Sequence, residues 1–328
     1  MSESGEQVLA GDIGGTNLRL ALVERRGRPR VVASRRTPVN DHPGLSAAVE
    51  AFLGELPARP RRACFGVAGT ITGRRIEGVN LPWAIDADEV ESSCGLEAVR
   101  LINDFHAAAH GVEQLGGEGW FPLRPDEPEV EEGGPVAVLG AGTGLGQALL
   151  VPTSERRERV VVSSEGGHRD FAPTDELQGR LLTWLRARHG RVSTERVLSG
   201  PGLGAIYAFL VEAEGRPACA AVASLEEAAR PPAILAGAGS DPTCAAAVGL
   251  LTDVYGAEAG NLALTVLARG GVFLAGGMAP ELLRDEGRAE RFRRAFRAKG
   301  RFEDLLTSYA VRVVDDPDLG LLGAAAEA

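Results

Sequence analysis

One carboxylate in this sequence follows an apolar run and could accept a proton. Asn103 and Asp104 come directly after an apolar run in the string LINDFH. A carboxylate at the end of a strand can act as a general base for a hydroxyl group, and ligands of open α/β sheets collect at the carboxyl ends of strands. The structural alternative is a helix N-cap, because Asp before an apolar helical run is a favoured capping residue. Taken alone, the pair favours the cap.

A second set of chemically active residues lies in SSEGGHRDFAP, where Glu165 and His168 are three residues apart. The di-iron Glu-x-x-His motif needs a helix and two copies, whereas Gly166 and Gly167 break any helix here and one copy exists. A carboxylate and an imidazole on a glycine loop could instead hydrogen-bond a polyhydroxy ligand, although a loop Glu with a satisfied His is the more common case. Glu195, in VSTERVLSGPGL, could equally face solvent on a helix.

A glycine turn joins two apolar runs in LAGDIGGTNLRLALVE. A Rossmann fingerprint would need a helix after the turn, but Leu18 to Val23 continue as a strand. Gly14 and Gly15 would let a phosphate approach the backbone N–H groups, with Thr16 and Asn17 as side-chain donors. The Asp12 carboxylate beside the phosphates suits Mg²⁺ between them. The alternative is a plain tight hairpin.

Two later segments repeat this glycine chemistry. Four glycines alternate around Thr143 in PVAVLGAGTGLGQALLVP, and strand interiors rarely tolerate so much glycine unless something approaches closely. Gly276 and Gly277 end an apolar run in GGVFLAGGMAPELL, before a helix expected from about Pro280. They could pass close to a base or ribose, or form an ordinary strand-to-helix turn. Two glycine hairpins could hold a polyphosphate from opposite sides.

Composition limits the possible partners and compartments. The net charge of −10 disfavours nucleic acid and an anionic membrane surface. The four cysteines are scattered, which predicts free thiols in a reducing cytoplasm rather than a disulfide framework or a zinc cage. Lys299, the only lysine, lies in a charged stretch expected to be exposed, and no Walker-type string occurs. The N-terminus lacks an apolar signal core, and Ala245 to Ala268 reads as a buried helix rather than a membrane span.

The elements that must position these residues alternate between strands and helices. The first third predicts a three-strand meander followed by helix-separated strands, which indicates an α/β sheet. Residues 116–134 are acidic and rich in glycine and proline, and predict a surface loop near a domain boundary. A second meander then repeats the opening pattern. This weak internal duplication predicts two related domains.

Taken in series, these strings resemble the bacterial glucokinase family. The resemblance covers nearly the whole chain, least clearly 213–240, and rests on GDIGGTNLRLAL, NLPW, INDF, GAGTGLG, EGGHRDFAP, ERVLSGPGL and GGVFLAGGMAP. The absence of the zinc-holding cysteine cluster points to the non-ROK branch. The resemblance implies an α/β, actin/hexokinase-like ATPase fold of two RNase H-like domains with a cleft between them. We expect residues 1–110 plus 310–328 to form a small domain and 111–309 a large domain with inserted helices.

The family's activity is transfer of the ATP γ-phosphoryl group to the 6-hydroxyl of D-glucose, the entry step to glycolysis. By resemblance Asp104 is the general base, and Asn103, Glu165, His168 and Glu195 bind the sugar together with it. The phosphate and adenosine segments are implied at Gly11, Asp12, Ile13, Gly14, Gly15, Thr16, Asn17, Gly142, Thr143, Gly276 and Gly277. Mg²⁺ is expected with ATP, near Asp12, without a direct protein cage. The family also implies a homodimer.

Two other functions fit the same residues. One is a kinase for another hexose, such as mannose, fructose or an N-acetylhexosamine, because a sequence does not measure pocket size. The other is a non-catalytic sugar-sensing protein, or a chaperone-type ATPase, on the same fold. A repressor would need a DNA-binding helix-turn-helix with a basic surface, and a chaperone-type ATPase would need a further substrate-binding module. We expect neither addition here.

Overall fold

The computed structural model describes residues 6–69, 71–76, 81–153 and 159–328. The chain divides into two compact units. The first comprises Met1–Gly119, Val161–Ser163 and Asp316–Ala328, and the second comprises Trp120–Val160 and Ser164–Asp315. Each unit is built around its own main sheet, as the alternation of apolar strands and helices predicts.

The regular elements are numbered along the chain. The strands are β1 (Glu6–Ile13), β2 (Asn17–Arg25), β3 (Arg30–Pro38), β4 (Arg62–Val67), β5 (Ile71–Thr72), β6 (Arg75–Ile76), β7 (Ile85–Asp86), β8 (Ala98–Asn103), β9 (Trp120–Pro122), β10 (Val136–Ala141), β11 (Leu145–Pro152), β12 (Arg159–Ser164), β13 (Val272–Ala275) and β14 (Val311–Val314). The helices are α1 (Leu45–Leu53), α2 (Ala87–Cys94), α3 (Asp104–Gln114), α4 (Glu176–His189), α5 (Gly200–Glu212), α6 (Ala220–Ala223), α7 (Arg230–Gly237), α8 (Pro242–Val266), α9 (Met278–Leu283), α10 (Glu286–Arg297), α11 (Glu303–Thr307) and α12 (Leu319–Glu327). Short 3₁₀ turns occur at Val39–Asp41, Gly166–His168, Glu227–Ala229 and Gly300–Phe302.

The main sheet of the first unit has the strand order β3-β2-β1-β4-β8. The opening hairpin is antiparallel, and β1, β4 and β8 run parallel. The parallel register pairs Ile13 with Val67 and Val67 with Asn103. The turn after β1 and the start of α3 therefore lie at the same carboxyl edge of this sheet, where side chains can converge on a ligand.

Helices α3 and α12 pack on this sheet with their backbones in contact. A Cβ on Gly111 would be 2.2 Å from the carbonyl oxygen of Leu319, and a Cβ on Gly323 would be 1.7 Å from that of Ala107. Any side chain at these two glycines would push the helices apart. Gly111 and Gly323 are thus required by the close helix crossing.

The sheet of the second unit has the order β12-β11-β10-β13-β14-β9. Its β10–β11 hairpin is antiparallel, and β13 and β14 continue the sheet in parallel. The meander followed by parallel strands is the arrangement found in the first unit, so the duplication predicted from the sequence is confirmed in the topology. Helix α8, capped by the Asp241 side chain, packs most of its length into the core beside this sheet.

The interpretation of residues 245–268 as a buried helix is confirmed by the burial of α8. No single helix within the described residues has both the length and the apolar composition to cross a membrane. Residues Glu227–Gly237 and Pro242–Val266 pass that test only as a pair, which is bent by 96°.

Some local expectations were wrong. The segment predicted as a loop, 116–134, contains the edge strand β9, which pairs antiparallel with β14. Its Trp120 ring lies 4.1 Å from the Arg312 guanidinium carbon, a contact with a distant strand that local composition does not report. The helix expected near Pro280 is present and begins at Met278. In the NLPW string, Trp83 donates to the carbonyl of His42, whereas Asn80 lies outside the described residues.

Lys299 is half-buried, so the expectation of an exposed side chain was also wrong. Its ammonium group donates to the carbonyl of Ala257 at 2.9 Å and to Oδ1 of Asn261 at 2.7 Å, both on α8. Burial lowers the pKa of this lysine. The only lysine therefore ties the end of α10 to the core helix, a structural role.

Candidate active site

The turn between β1 and β2 presents its backbone to solvent. The Gly14 amide donates to the carbonyl of Asn17 at 3.0 Å, which closes the turn. Gly15 and Thr16 are exposed, and Gly14 and Asn17 are half-buried. The carbonyl of Thr16 accepts from Val39, which holds the turn against the end of β3. The turn has the rigid, open backbone that phosphate binding requires.

Gly11 and Ile13 lie inside the sheet rather than at its surface. Both are buried, and a Cβ on Gly11 would be 2.4 Å from the ring of Phe65. Gly11 is therefore required by core packing beneath the turn. Any contribution of these two residues to ligand binding is through the position of the strand.

Asp12 lies between them with a half-buried carboxyl group. Burial raises its pKa, partly offset by the positive charges of Arg19 and Arg36. The start of α12 packs against it, since a Cβ on Gly320 would be 3.5 Å from the carboxyl carbon. Within the described ranges this carboxyl receives no hydrogen bond and forms no ion pair. A hard divalent cation prefers carboxylate oxygens, so the group fits Mg²⁺ in its donor chemistry.

Asn103, rather than Asp104, caps helix α3. Its Oδ1 accepts from the amides of Phe105 at 2.9 Å and His106 at 3.2 Å, and its Nδ2 lies 3.5 Å from the carbonyl of Gly69. The alternative that assigned the cap to Asp104 was therefore wrong. Asp104 occupies the first helical position, where one carboxylate oxygen accepts from the Phe105 amide at 2.9 Å. A negative charge is stabilised at this end of a helix.

In the second unit, Glu165, His168 and Glu195 form one cluster. Nε2 of His168 lies 3.9 Å from Glu165, and its Nδ1 lies 3.8 Å from Glu195. The 3₁₀ turn Gly166–His168 places the first two residues on one side of the loop. The amide of Glu195 donates to the carbonyl of Gly167 at 3.0 Å, which fixes the third. The side chains of Glu165 and His168 are 63% and 58% exposed, so both are available to a ligand.

The glycine hairpin between β10 and β11 adjoins this cluster. The Leu145 amide donates to Oε2 of Glu195 at 2.9 Å, and a Cβ on Gly144 would be 2.7 Å from the same oxygen. A Cβ on Gly142 would have nothing within 4 Å, and Thr143 is exposed beside it. The hairpin therefore has one position closed by Glu195 and one position open to a ligand.

Gly276 and Gly277 follow β13 next to the same hairpin. Gly276 has φ +81°, and a Cβ there would be 3.1 Å from the carbonyl of Ala141. Both glycines are exposed, and β13 runs parallel to β10. Gly276 and Gly277 thus lie at the carboxyl edge of the sheet of the second unit, beside the β10–β11 hairpin.

Sequence reasoning missed the polar network that supports the cluster. Gln147 donates to Glu258 at 2.8 Å, and Arg169 pairs with Glu258 and lies 3.2 Å from Oε1 of Gln147. A Cβ on Gly166 would be 2.1 Å from that Gln147 oxygen, so the EGGH turn rests directly on the network. Its members come from β11, a loop and α8. The one signal was Glu258, an acidic residue inside a buried apolar helix.

A family model and the curated relatives identify one family. A family profile described as Glucokinase matches residues 9–328. The glucokinase of Trichormus variabilis is 38% identical over 338 residues, covering 97% of each chain. That of Escherichia coli O1:K1 is 38% identical over 320 residues, covering 97% of this chain and 95% of its own.

Solved structures give the same result for the fold. A glucokinase from an Antarctic psychrotroph is 32% identical, with a TM-score of 0.82 and 98% of both chains covered. A ROK family glucokinase from Streptomyces griseus, solved with glucose and AMPPNP, is 21% identical with a TM-score of 0.67; 98% of this chain and 99% of that chain are covered. The predicted actin/hexokinase-like ATPase fold is confirmed by these neighbours. On sequence and fold together, the chain belongs to the glucokinase family.

Proposed function

We propose that this chain phosphorylates D-glucose at its 6-hydroxyl with ATP, and that the residues described above act on these two substrates. The observation that carries the proposal is the cluster of Glu165, His168 and Glu195 beside a glycine hairpin. A carboxylate can accept a hydrogen bond from a sugar hydroxyl, and an imidazole N–H can donate one to a hydroxyl oxygen. The hydrogen bond from Leu145 to Glu195 joins this polar cluster to backbone suited to phosphate.

Asp104 is the proposed general base. In the reaction the 6-hydroxyl oxygen attacks the γ-phosphorus, the bond to the β-phosphate oxygen breaks, and ADP leaves. The hydroxyl proton passes to the Asp104 carboxylate. Phosphoryl transfer needs positioning and charge stabilisation more than covalent help from the protein. A well-placed base contributes ~10²–10⁴-fold to such a step.

The sugar is held by the remaining polar groups. Glu165, His168 and Glu195 are proposed to bind its hydroxyls, and the exposure of Glu165 and His168 supports this role. Oδ1 of Asn103 is already occupied by the helix cap. We therefore propose that Asn103 contributes its Nδ2 group, whose hydrogen bond to Gly69 is long. By holding the 6-hydroxyl oxygen toward the γ-phosphorus, these contacts would lower the part of the activation free energy that comes from orienting the reactants.

The proposed phosphate ligands are Gly14, Gly15, Thr16, Asn17, Gly142 and Thr143. Gly276 and Gly277 would lie against the adenosine. Asp12 would hold Mg²⁺, directly or through water, and the ion when bound neutralises charge on the phosphate oxygens. Backbone amides are proposed to stabilise the remaining negative charge on the phosphates. The only lysine is not used for this, because it donates to the Ala257 carbonyl of α8.

The test is ADP release by purified protein with ATP, Mg²⁺ and separate sugars. We expect the highest kcat/KM with D-glucose, and lower values with mannose, fructose and N-acetylglucosamine. Higher kcat/KM with another hexose would reassign the substrate. Sugar binding without ADP release would instead favour a non-catalytic sensor.

Assembly and location belong to the same proposal. We propose a homodimer in the cytoplasm, acting at the start of glycolysis, because the family resemblance implies it. Light scattering at micromolar concentration checks the mass of the particle against 34.3 kDa per chain. The mass of a single chain at every micromolar concentration measured would contradict the dimer. It would not affect the proposed catalytic activity.

A further inference from the structure

Three metal-ligating side chains meet on the first unit, apart from the residues used above. His106 and His110 lie one helical turn apart on α3, and Glu327 lies at the end of α12. Their ligand atoms all lie within 4.8 Å of one another. Nε2 of His110 is 3.0 Å from Oε1 of Glu327, and the two imidazole rings have centroids 5.0 Å apart. We propose that His106, His110 and Glu327 form a binding site for a divalent transition metal of the Zn²⁺ class.

The ligand set selects this class of ion. Two imidazoles and one carboxylate with an open fourth position are a common protein environment for Zn²⁺. Imidazole nitrogen suits zinc, copper and nickel, whereas Mg²⁺ prefers an all-oxygen octahedral site. The site is therefore chemically different from the Mg²⁺ expected with ATP at Asp12. Burial also lowers the pKa of His106.

The two helices hold the ligands on a rigid base. Gly111 and Gly323 allow backbone contact between α3 and α12, so neither helix can shift far relative to the other. Ser163 Oγ lies 2.9 Å from Nδ1 of His106 and orients that ring. Ligands on packed helices need little rearrangement to close around an ion. Ligand-to-metal distances of about 2.0–2.2 Å require only side-chain rotations from the separations present here.

Arg100 is the one competing charge on this cluster within the described part of the chain. It forms an ion pair with Glu327, whose pKa is lowered first by the hydrogen bond to His110. The Arg100 side chain is 57% exposed, so it can turn into solvent when an ion takes its place. The Glu327 end is only 16% exposed, but water around the arginine end screens the attraction between the two charges. The arginine therefore moderates the affinity without blocking the site.

A second cluster in the chain serves as the comparison. Cys219, Asp241 and Cys244 also bring ligand atoms within 4.8 Å of one another. The Asp241 carboxylate, however, already caps α8 through the amides of Thr243 and Cys244. Burial raises the pKa of the Cys244 thiol to about 12, which disfavours the thiolate that metals bind. The histidine cluster is the better site for both reasons.

The experiment titrates the full-length chain, without an affinity tag and without nucleotide, with Zn²⁺ in a calorimeter. Co²⁺ in parallel reports nitrogen ligation by its visible absorption. We expect one equivalent to bind and the melting temperature to rise, because the ion binds the folded chain. Loss of groups that merely support a ligand costs 10–100-fold in metal affinity, so His110→Gln and Glu327→Gln should each weaken binding at least about tenfold.

The control variants are Cys244→Ala, which breaks the second cluster, and His189→Gln, which removes an exposed histidine elsewhere. Both should bind Zn²⁺ with the affinity of the parent chain. Melting without metal verifies that each variant is folded, and His106→Gln provides a second ligand deletion if one variant is not. Unchanged Zn²⁺ affinity in folded His106→Gln, His110→Gln or Glu327→Gln would overturn the proposal. So would loss of binding in Cys244→Ala, or no binding at millimolar Zn²⁺.

Discussion

The carboxylate of Glu195 occupies the space that a side chain at Gly144 would need. A Cβ on Gly144 would lie 2.7 Å from Oε2 of Glu195, and the same oxygen accepts the Leu145 amide at 2.9 Å. Gly144 is thus required because Glu195, which is proposed to bind the sugar, leaves no room for a side chain there. The approach of phosphate is not the only reason for a glycine in this hairpin. The hairpin and the acidic residue form one structural unit, although 50 residues separate Leu145 from Glu195.

This contact predicts that Gly144→Ala weakens glucose binding. The methyl group would displace Glu195, and loss of its contacts should raise the KM for glucose roughly tenfold, the scale of a lost charged hydrogen bond. The matched variant is Gly142→Ala, since a Cβ there meets nothing within 4 Å. It should keep the glucose KM near that of the parent and alter the KM for ATP. Steady-state kinetics with each substrate varied would contradict the prediction if both variants raised the glucose KM equally.

Asp104→Asn should lower kcat by ~10²–10⁴-fold, because the amide cannot accept the hydroxyl proton. Glucose affinity, measured by calorimetry without ATP, should change little. The control is Asp88→Asn, which removes an exposed carboxylate from the first turn of α2. It should retain the parent kcat. Turnover of Asp104→Asn near the parent value would remove Asp104 from the role of base.

Glu165→Gln should weaken glucose binding more than ATP binding. The exposed carboxylate lies 3.9 Å from His168, and it is expected to accept a hydrogen bond from a sugar hydroxyl. We expect a rise of roughly tenfold in the glucose KM, as for one charged hydrogen bond. Glu176→Gln, an exposed acid in the first turn of α4, is the control and should behave as the parent. Equal changes in the KM of glucose and ATP would contradict the assignment.

Asp12→Asn should stabilise the ligand-free chain at neutral pH while lowering its activity. Burial raises the pKa of Asp12 above its ordinary value of 3.8. Such a group favours folding below its unfolded-state pKa, and that contribution is lost as the pH rises through the folded-state pKa. The ionised, buried carboxylate therefore lowers the free energy of unfolding at pH 7, which is the cost of keeping a ligand for a cation.

Melting temperatures measured from neutral pH downward check this sign. The gain in Asp12→Asn over the parent should be largest near neutrality and should shrink as the pH falls through the folded-state pKa of Asp12 toward the ordinary value of 3.8. Asp41→Asn removes an exposed carboxylate of the same unit and should give no such difference. A lower melting temperature for Asp12→Asn at neutral pH would contradict the prediction. The same preparation should need more Mg²⁺ for half-maximal turnover.

Much of the fold was predictable because it is encoded locally. Alternating apolar runs and glycine turns predicted both meanders, and helical spacing predicted α1 and α8, within a few residues of the bounds found. Errors occurred where a distant partner decides the outcome. Strand β9 forms because it pairs with β14 at the edge of the sheet. Lys299 is half-buried because its ammonium group donates to a carbonyl and a side-chain amide oxygen of α8.

The sequence by itself determined the kinds of groups present and the strand ends that carry them: Asp12, Asp104 and the EGGH turn. Only the tertiary structure decided how those groups are used. It assigned the α3 cap to Asn103, joined His168 to both Glu165 and Glu195, and set the EGGH turn on Gln147, Arg169 and Glu258. The physical reason is that hydrogen bonds and close glycine contacts link segments far apart in the chain, and local residue patterns carry no record of which segments meet.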